Sequence, residues 1–133
     1  ARLGDYKVLP HHQINLNSYY VKCLERVPPK SKILFFSDEP NLCKESFKTA
    51  CVSSDINFQV CEESDELESL ALMSQCWGGA ITANSTFSWW GAYFAYVRCP
   101  NKESYLAFFP GTWGQGLPAA KDVVPFWGIK IAV

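Results

Sequence analysis

The sequence predicts a doubly wound α/β domain, a parallel sheet with helices on both faces. Short apolar runs of strand length recur along it: KILFF (32–36), INFQV (56–60), AITA (80–83) and YLAFF (105–109). Between them lie longer segments with capping residues and apolar side chains at helical spacing. Strand and helix therefore alternate, and an alternating series folds most simply as a parallel sheet joined by right-handed crossovers. With 133 residues, 48% of them apolar and 15% aromatic, the chain is read as one domain, 1–133, with a single core.

The elements follow in order. In NLNSYYVKCLERV the residues Tyr20, Leu24 and Val27 recur at helical spacing, with Asn17 as N-cap and Pro28-Pro29 as the stop. KILFF reads as a buried strand. Ser37, Asp38, Glu39 and Pro40 then open a helix through NLCKESFKTA. After INFQV, Asp65 and the Glu68 three residues on form a capping-box-like start, with Leu67, Leu70, Ala71 and Ser74 on one helical face. Gly78-Gly79 break that helix, AITA follows as a strand, and FSWWGAYFAYV (87–97) is a helix. YLAFF is the last clear strand, GTWGQGLPAAKD a loop, and VVPFWGIKIAV a terminal segment with apolar anchors.

Composition narrows the function classes. Twelve basic and 13 acidic residues give a net charge of −1, which offers no bulk attraction to nucleic acid or anionic lipid. No apolar run reaches the roughly 18 residues of a membrane span, so no transmembrane segment is expected. ARLGDYK has no apolar core of a signal peptide. Six cysteines (23, 43, 51, 61, 76, 99) show no CxxC and no histidine at metal spacing. Zinc is not expected, and the cysteines read as reduced, mostly buried thiols.

Sheets of this kind bind ligands beyond the carboxyl ends of their strands. Ser37-Asp38 and Asn84-Ser85-Thr86 fall there, and so does Arg2-Leu3-Gly4-Asp5 if a strand precedes it. Hydroxyls and free N–H groups at a strand-to-helix turn can cradle a diphosphate, although plain helix capping explains Ser85, Thr86 and Ser88 equally. Capping likewise competes with ligand contact for Ser37 and Asp38. Trp89, Trp90, Tyr93 and Phe94 read as core, because their spacing covers both faces of a buried helix. Asn84-Ser85-Thr86 is also a formal N-glycosylation sequon, read as coincidental.

RLGDY (Arg2 to Tyr6), FSDE (Phe36 to Glu39) and NSTFSWWGAY (Asn84 to Tyr93) resemble the three ordered motifs of the α-1,2-fucosyltransferases, glycosyltransferase family 11. His12 followed by Tyr19-Tyr20, LMSQC (72–76) and the tail FPGTWG…KDVVPFWGIKI are similar to further segments of that family. The family pattern begins before Ala1, which implies that residues 1–133 correspond to a donor-binding C-terminal half. The implied fold is Rossmann-like, as in the C-terminal half of a GT-B glycosyltransferase.

The resemblance also implies a chemistry. Fucose passes from GDP-fucose to a sugar hydroxyl with inversion, and the acceptor is a galactose-terminated glycan. Arg2 offers a planar charged fork to the departing diphosphate, so no metal or other cofactor is expected. Asp5 orients Arg2. Ser37, Asp38, Asn84, Ser85, Thr86, Phe87 and Ser88 complete the donor set. A base is needed near the acceptor hydroxyl, and Asp5, His12, Asp38 and Glu39 remain open for that role. A rival reading is a non-catalytic nucleotide- or sugar-binding module. A bacterial or viral source implies the cytoplasm; an animal source implies the Golgi lumen or a membrane association.

Overall fold

The computed structural model describes residues 14–41, 56–62, 65–115 and 122–133. Helix α1 (Asn17–Leu24) leads into β1 (Lys32–Phe36), which pairs in parallel with β2 (Asn57–Cys61) in the register Ile33 to Phe58. Helix α2 (Glu66–Met73) and β3 (Gly79–Ile81) follow, then α3 (Thr86–Arg98), a 3-10 turn (Lys102–Ser104), β4 (Leu106–Pro110) and β5 (Ile129–Ile131). β3, β4 and β5 form a second parallel ladder in that order. The alternating α/β architecture with parallel strands is thus the one expected.

Side-chain alternation along β4 separates the two faces. Phe108 packs with Leu16, Tyr19 and Cys23 of the α1 segment, and with Ala83 and Ile131. Ala107 and Phe109 point the other way, into a cluster with Ala92 and Ala95 of α3, Cys99 just past its end, and the partly buried Trp89, Tyr96 and Trp127. Helices therefore cover both faces of this ladder. Tyr19, Phe108 and Phe109 are fully buried, and burying a phenylalanine side chain contributes about 1.5–3 kcal/mol.

Several elements depart from the sequence reading. Asn17 is inside α1; the N-cap is Leu16, which makes no side-chain cap, and the Asn15 side chain instead accepts from Asn17 N–H at 3.0 Å. On α2 the buried residue is Ser69, with the C-cap Ser74 also buried, while Leu67 is 76% exposed and Ala71 also faces solvent. Asp65 does cap α2, accepting from Leu67 and Glu68 N–H at 2.8 and 2.9 Å. Gly79 belongs to β3 rather than to a loop. Its φ of 149° is closed to ordinary side chains, and a Cβ there would lie on the Leu106 carbonyl.

The expectation that α3 is buried on both faces is overturned. Trp90 is 47% and Phe94 39% exposed, whereas the buried positions are Gly91, Ala92 and Ala95. Small residues let the helix backbone approach its neighbours, and a Cβ at Gly91 would strike the Met73 side chain of α2. Trp90 and Phe94 turn outward, while Trp89 and Tyr96 stay packed against the cluster around Phe109. Trp89 stacks on Tyr93 with centroids 5.6 Å apart, and Trp90 on Phe94 at 5.7 Å. β5 was not foreseen as a strand. Residues 42–50, expected to continue the helix begun at Pro40, lie outside the described residues, as do Cys43 and Cys51. Cys23, Cys61, Cys76 and Cys99 are free thiols, with Cys23 and Cys99 buried.

Candidate functional site

The site is the turn that leaves β3 and starts α3. Its floor is polar and nearly dry: Thr82, Asn84 and Ser85 are 1%, 4% and 3% exposed. Each has a partner, as buried polar groups require. Thr82 N–H and hydroxyl both donate to the Phe108 carbonyl, at 3.0 and 3.1 Å, and the Tyr19 hydroxyl donates to the same oxygen at 2.8 Å. Burial pushes the Tyr19 hydroxyl far above the ordinary phenol range, so it remains a neutral donor. Asn84 gives its side-chain N–H to the Trp113 carbonyl at 3.1 Å, tying the loop after β4 to the exit of β3. A glycan on this buried amide would have no room, which agrees with the coincidental reading of the sequon.

Ser85 is the N-cap of α3, its hydroxyl accepting from Ser88 N–H at 3.2 Å. The Ser88 hydroxyl lies within 3.0 Å of the Ser85 hydroxyl, 3.0 Å of the Ala83 carbonyl and 2.9 Å of the Ser85 carbonyl. It also accepts from Ala83 N–H at 3.1 Å. Both hydroxyls are thus committed to the turn. Thr86 differs: its side chain is exposed and makes no hydrogen bond among the described residues. The N–H groups of Thr86 and Phe87, in the first turn of α3, have no intrahelical acceptor. These two N–H groups and the Thr86 hydroxyl are what the turn can offer an anion.

Asn84, Ser85, Thr86, Phe87 and Ser88 are therefore brought together. Ser37 stands just beyond the carboxyl end of β1, and its hydroxyl accepts from Glu39 N–H at 3.0 Å in a local turn. Asp38 is exposed and Glu39 partly buried. Arg2, Asp5 and His12 lie outside the described residues. Sequence reasoning missed Thr82, Tyr19 and the Trp113 carbonyl as the supports beneath the turn. Thr82 gave no signal inside an apolar run, and Trp113 is 29 residues from the asparagine it anchors. No cluster of three or more metal-ligating side chains occurs among the described residues. No helix among them is long and apolar enough to cross a membrane.

A layered α/β core with a hydroxyl-rich strand-to-helix turn at a carboxyl strand end defines the class of doubly wound ligand-binding domains. The chain belongs to glycosyl transferase family 11, whose profile matches residues 1–107. It is similar to the O-antigen biosynthesis glycosyltransferase WbnK of Escherichia coli, with 31% identity over 133 residues, covering 95% of this chain and 41% of that protein. The chain therefore spans about two fifths of the length of this curated relative. No solved structure matches it.

Proposed function

We propose that this chain is the donor-binding part of a GT-B-like glycosyltransferase that moves fucose from GDP-fucose to a hydroxyl of a galactose-terminated glycan, with inversion. Membership of glycosyl transferase family 11 over residues 1–107 is the observation that carries this reading. The turn opening α3 supports the reading as the place where the diphosphate would sit. There the N–H groups of Thr86 and Phe87 and the Thr86 hydroxyl contact phosphate, while Ser85 and Ser88 hold the turn and Asn84 fixes the neighbouring loop. Ser37 and Asp38 meet the ribose or base from the end of β1.

In the transfer, the bond from the anomeric carbon to the phosphate oxygen breaks as the acceptor oxygen attacks from the opposite side. The electron pair goes to the diphosphate, and the acceptor proton goes to a base drawn from Asp5, His12, Asp38 and Glu39. Arg2, oriented by Asp5, meets the charge that grows on the leaving group, without a metal. Calorimetric titration of GDP with and without EDTA, together with transfer of fucose to lactose by the intact protein, tests the reading. GDP binding and transfer that both survive EDTA are the expected result. Binding without transfer in the intact protein would instead make it a nucleotide-binding module, and binding abolished by EDTA would refute the metal-free chemistry.

A further inference from the structure

Three donors converge on the Phe108 carbonyl. Thr82 N–H and hydroxyl approach it to 3.0 and 3.1 Å, and the Tyr19 hydroxyl to 2.8 Å. Thr82 stands one residue past Ile81, the end of β3, so this carbonyl closes the ladder where the chain leaves it for the α3 turn. A carbonyl oxygen has two lone pairs, so one of the three donors is in excess. Thr82 alone supplies enough to fill both. Removing the Tyr19 hydroxyl therefore leaves the carbonyl satisfied, and satisfying it is not what this hydroxyl adds.

It adds a link between the two faces of the sheet. Tyr19 is fully buried on the α1 face, among Cys23, Ala83 and Phe108. Ala83 follows Thr82, and its N–H and C=O both meet the Ser88 hydroxyl, at 3.1 and 3.0 Å. Ser88 N–H in turn donates to the Ser85 hydroxyl at 3.2 Å. A continuous run of hydrogen bonds and packed side chains thus leads from α1, through Thr82 and Ala83, to the first turn of α3 on the opposite face. α1 has another tie, from Lys22 Nζ to the Ala132 carbonyl at 3.1 Å, which lies just past β5 and away from this path.

We propose that Tyr19 is a positioning residue, whose hydroxyl couples the seating of α1 to the shape of the Asn84–Ser88 turn. α1 then sets, from one face of the sheet, how well the turn binds its ligand at the start of the helix on the other. Ring packing holds α1 against the sheet but has no direction; the hydrogen bond is directional and fixes where α1 sits. By linkage, a ligand that fixes the turn also fixes α1. The ligand readouts below rest on the nucleotide reading proposed above, and the ligand-free readout does not.

Tyr19→Phe keeps the ring and removes the link. In the free protein the Thr82, Ala83 and Ser88 amides should then exchange on the order of tenfold faster. The Ser74 amide, which donates to the Leu70 carbonyl of α2, should stay level. The melting temperature should fall by no more than about 4 °C, while GDP binds on the order of fivefold more weakly. Lys22→Met cuts the other tie of α1 and should leave the turn amides and the GDP Kd unchanged. In the unsubstituted protein, saturating GDP should slow the Cys23 and Leu24 amides more than the Ser74 amide, and Tyr19→Phe should erase that difference. Unchanged turn amides in Tyr19→Phe would overturn the proposal. So would a large fall in melting temperature with α1, α2 and the turn opened alike, which would make the hydroxyl a plain stabilising contact. Equal slowing of α1 and α2 by GDP would overturn it too, since binding would then only stabilise the fold as a whole. If the unsubstituted protein binds no GDP, the nucleotide reading fails, and exchange in the free protein still decides the role of Tyr19.

Discussion

Ser85 and Thr86 are adjacent hydroxyl residues with opposite structural roles, and substituting each by alanine separates support from ligand contact. Ser85→Ala removes the acceptor of Ser88 N–H at 3.2 Å and the neighbour of the Ser88 hydroxyl at 3.0 Å. The position is 3% exposed, so water cannot readily replace either contact. Losing a serine N-cap in such a setting costs about 1–2 kcal/mol. At about 4 °C per kcal/mol for a chain of this size, the melting temperature should fall by about 4–8 °C. Thr86→Ala removes an exposed hydroxyl with no partner among the described residues, at a helical position where alanine is the better helix former. Its melting temperature should stay level or rise slightly. Under the proposed function it should nevertheless lose about 1.5–3 kcal/mol of GDP affinity, roughly tenfold to a hundredfold in Kd. Ser85→Ala, measured well below its melting point, should weaken GDP only a few-fold. Differential scanning calorimetry and GDP titration on the same preparations give both readouts. Ser85→Ala with an unchanged melting temperature and lost GDP binding would refute this division. So would Thr86→Ala that melts early and binds normally.

Gly79→Ala should destabilise by about 2–4 kcal/mol, because its φ of 149° and the Leu106 carbonyl leave no room for a Cβ; chemical denaturation measures this. Trp90→Ala should cost only about 1 kcal/mol, well under the roughly 3–5 kcal/mol of a buried tryptophan, since the ring is 47% exposed; a large loss would contradict its outward placement. Burial lifts the Cys23 thiol from 9.0 to about 11, so the folded state holds this proton more tightly than the unfolded chain. The resulting stability is intact below pH 9 and is lost as pH rises from 9 toward 11. Cys23→Ala should flatten that fall in melting temperature across this window. Arg2→Lys should weaken GDP binding and Arg2→Ala should weaken it further, while Lys7→Ala remains nearly silent in the same titration. Equal losses for Arg2→Ala and Lys7→Ala would reduce the effect to diffuse charge.

Alternation of strand-length and helix-length segments was enough to reveal a parallel α/β layer, and each foreseen strand among the described residues is present within a residue or two. The orientation of α3 was not legible. Where nearly every position from Phe87 to Val97 is apolar or small, periodicity cannot choose the inward face. Close packing chooses it, favouring Gly91, Ala92 and Ala95 over Trp90 and Phe94. β5 escaped notice because a three-residue strand interrupted by Lys130 carries almost no pattern. KILFF illustrates another limit. Its composition suits a strand covered on both faces, yet Lys32 and Leu34 are exposed and Ile33, Phe35 and Phe36 only partly buried, because composition does not say what packs on each face. At the site, the turn at Asn84–Ser88 could be read from residue types alone. The polar partners could not be read: the Ser88 hydroxyl turns back on the Ala83 carbonyl, while Thr82 and Asn84 find the Phe108 and Trp113 carbonyls on distant stretches of chain.

The two helices α2 and α3 make the case for an external anion at the second. Both have the positive pole of a helix at their start; the first turn of α2 is exposed, and that of α3 is exposed at Thr86. α2 neutralises its own pole: Asp65 caps it by accepting two N–H groups, and Glu66 and Glu68 stand in its first turn. α3 is capped by a neutral serine and has no acidic residue in its first turn. At the far end of α3, Lys102 donates to the carbonyls of Tyr96, Val97 and Cys99 at 2.7, 2.9 and 2.9 Å, matching a cation to the negative pole. One pole of this helix is therefore compensated from within the chain and the other is not. The uncompensated pole is equivalent to about half a charge and falls off within a turn, far less than a departing diphosphate carries. The turn can orient phosphate oxygens through Thr86 and Phe87, but it cannot by itself neutralise the leaving group. A cation must approach from another segment, and the Thr82, Asn84 and Ser85 floor supplies none. That requirement is the physical argument for the proposed role of Arg2: if a diphosphate sits at this turn, the turn can orient it, and a guanidinium would be needed to take up the charge as the bond breaks.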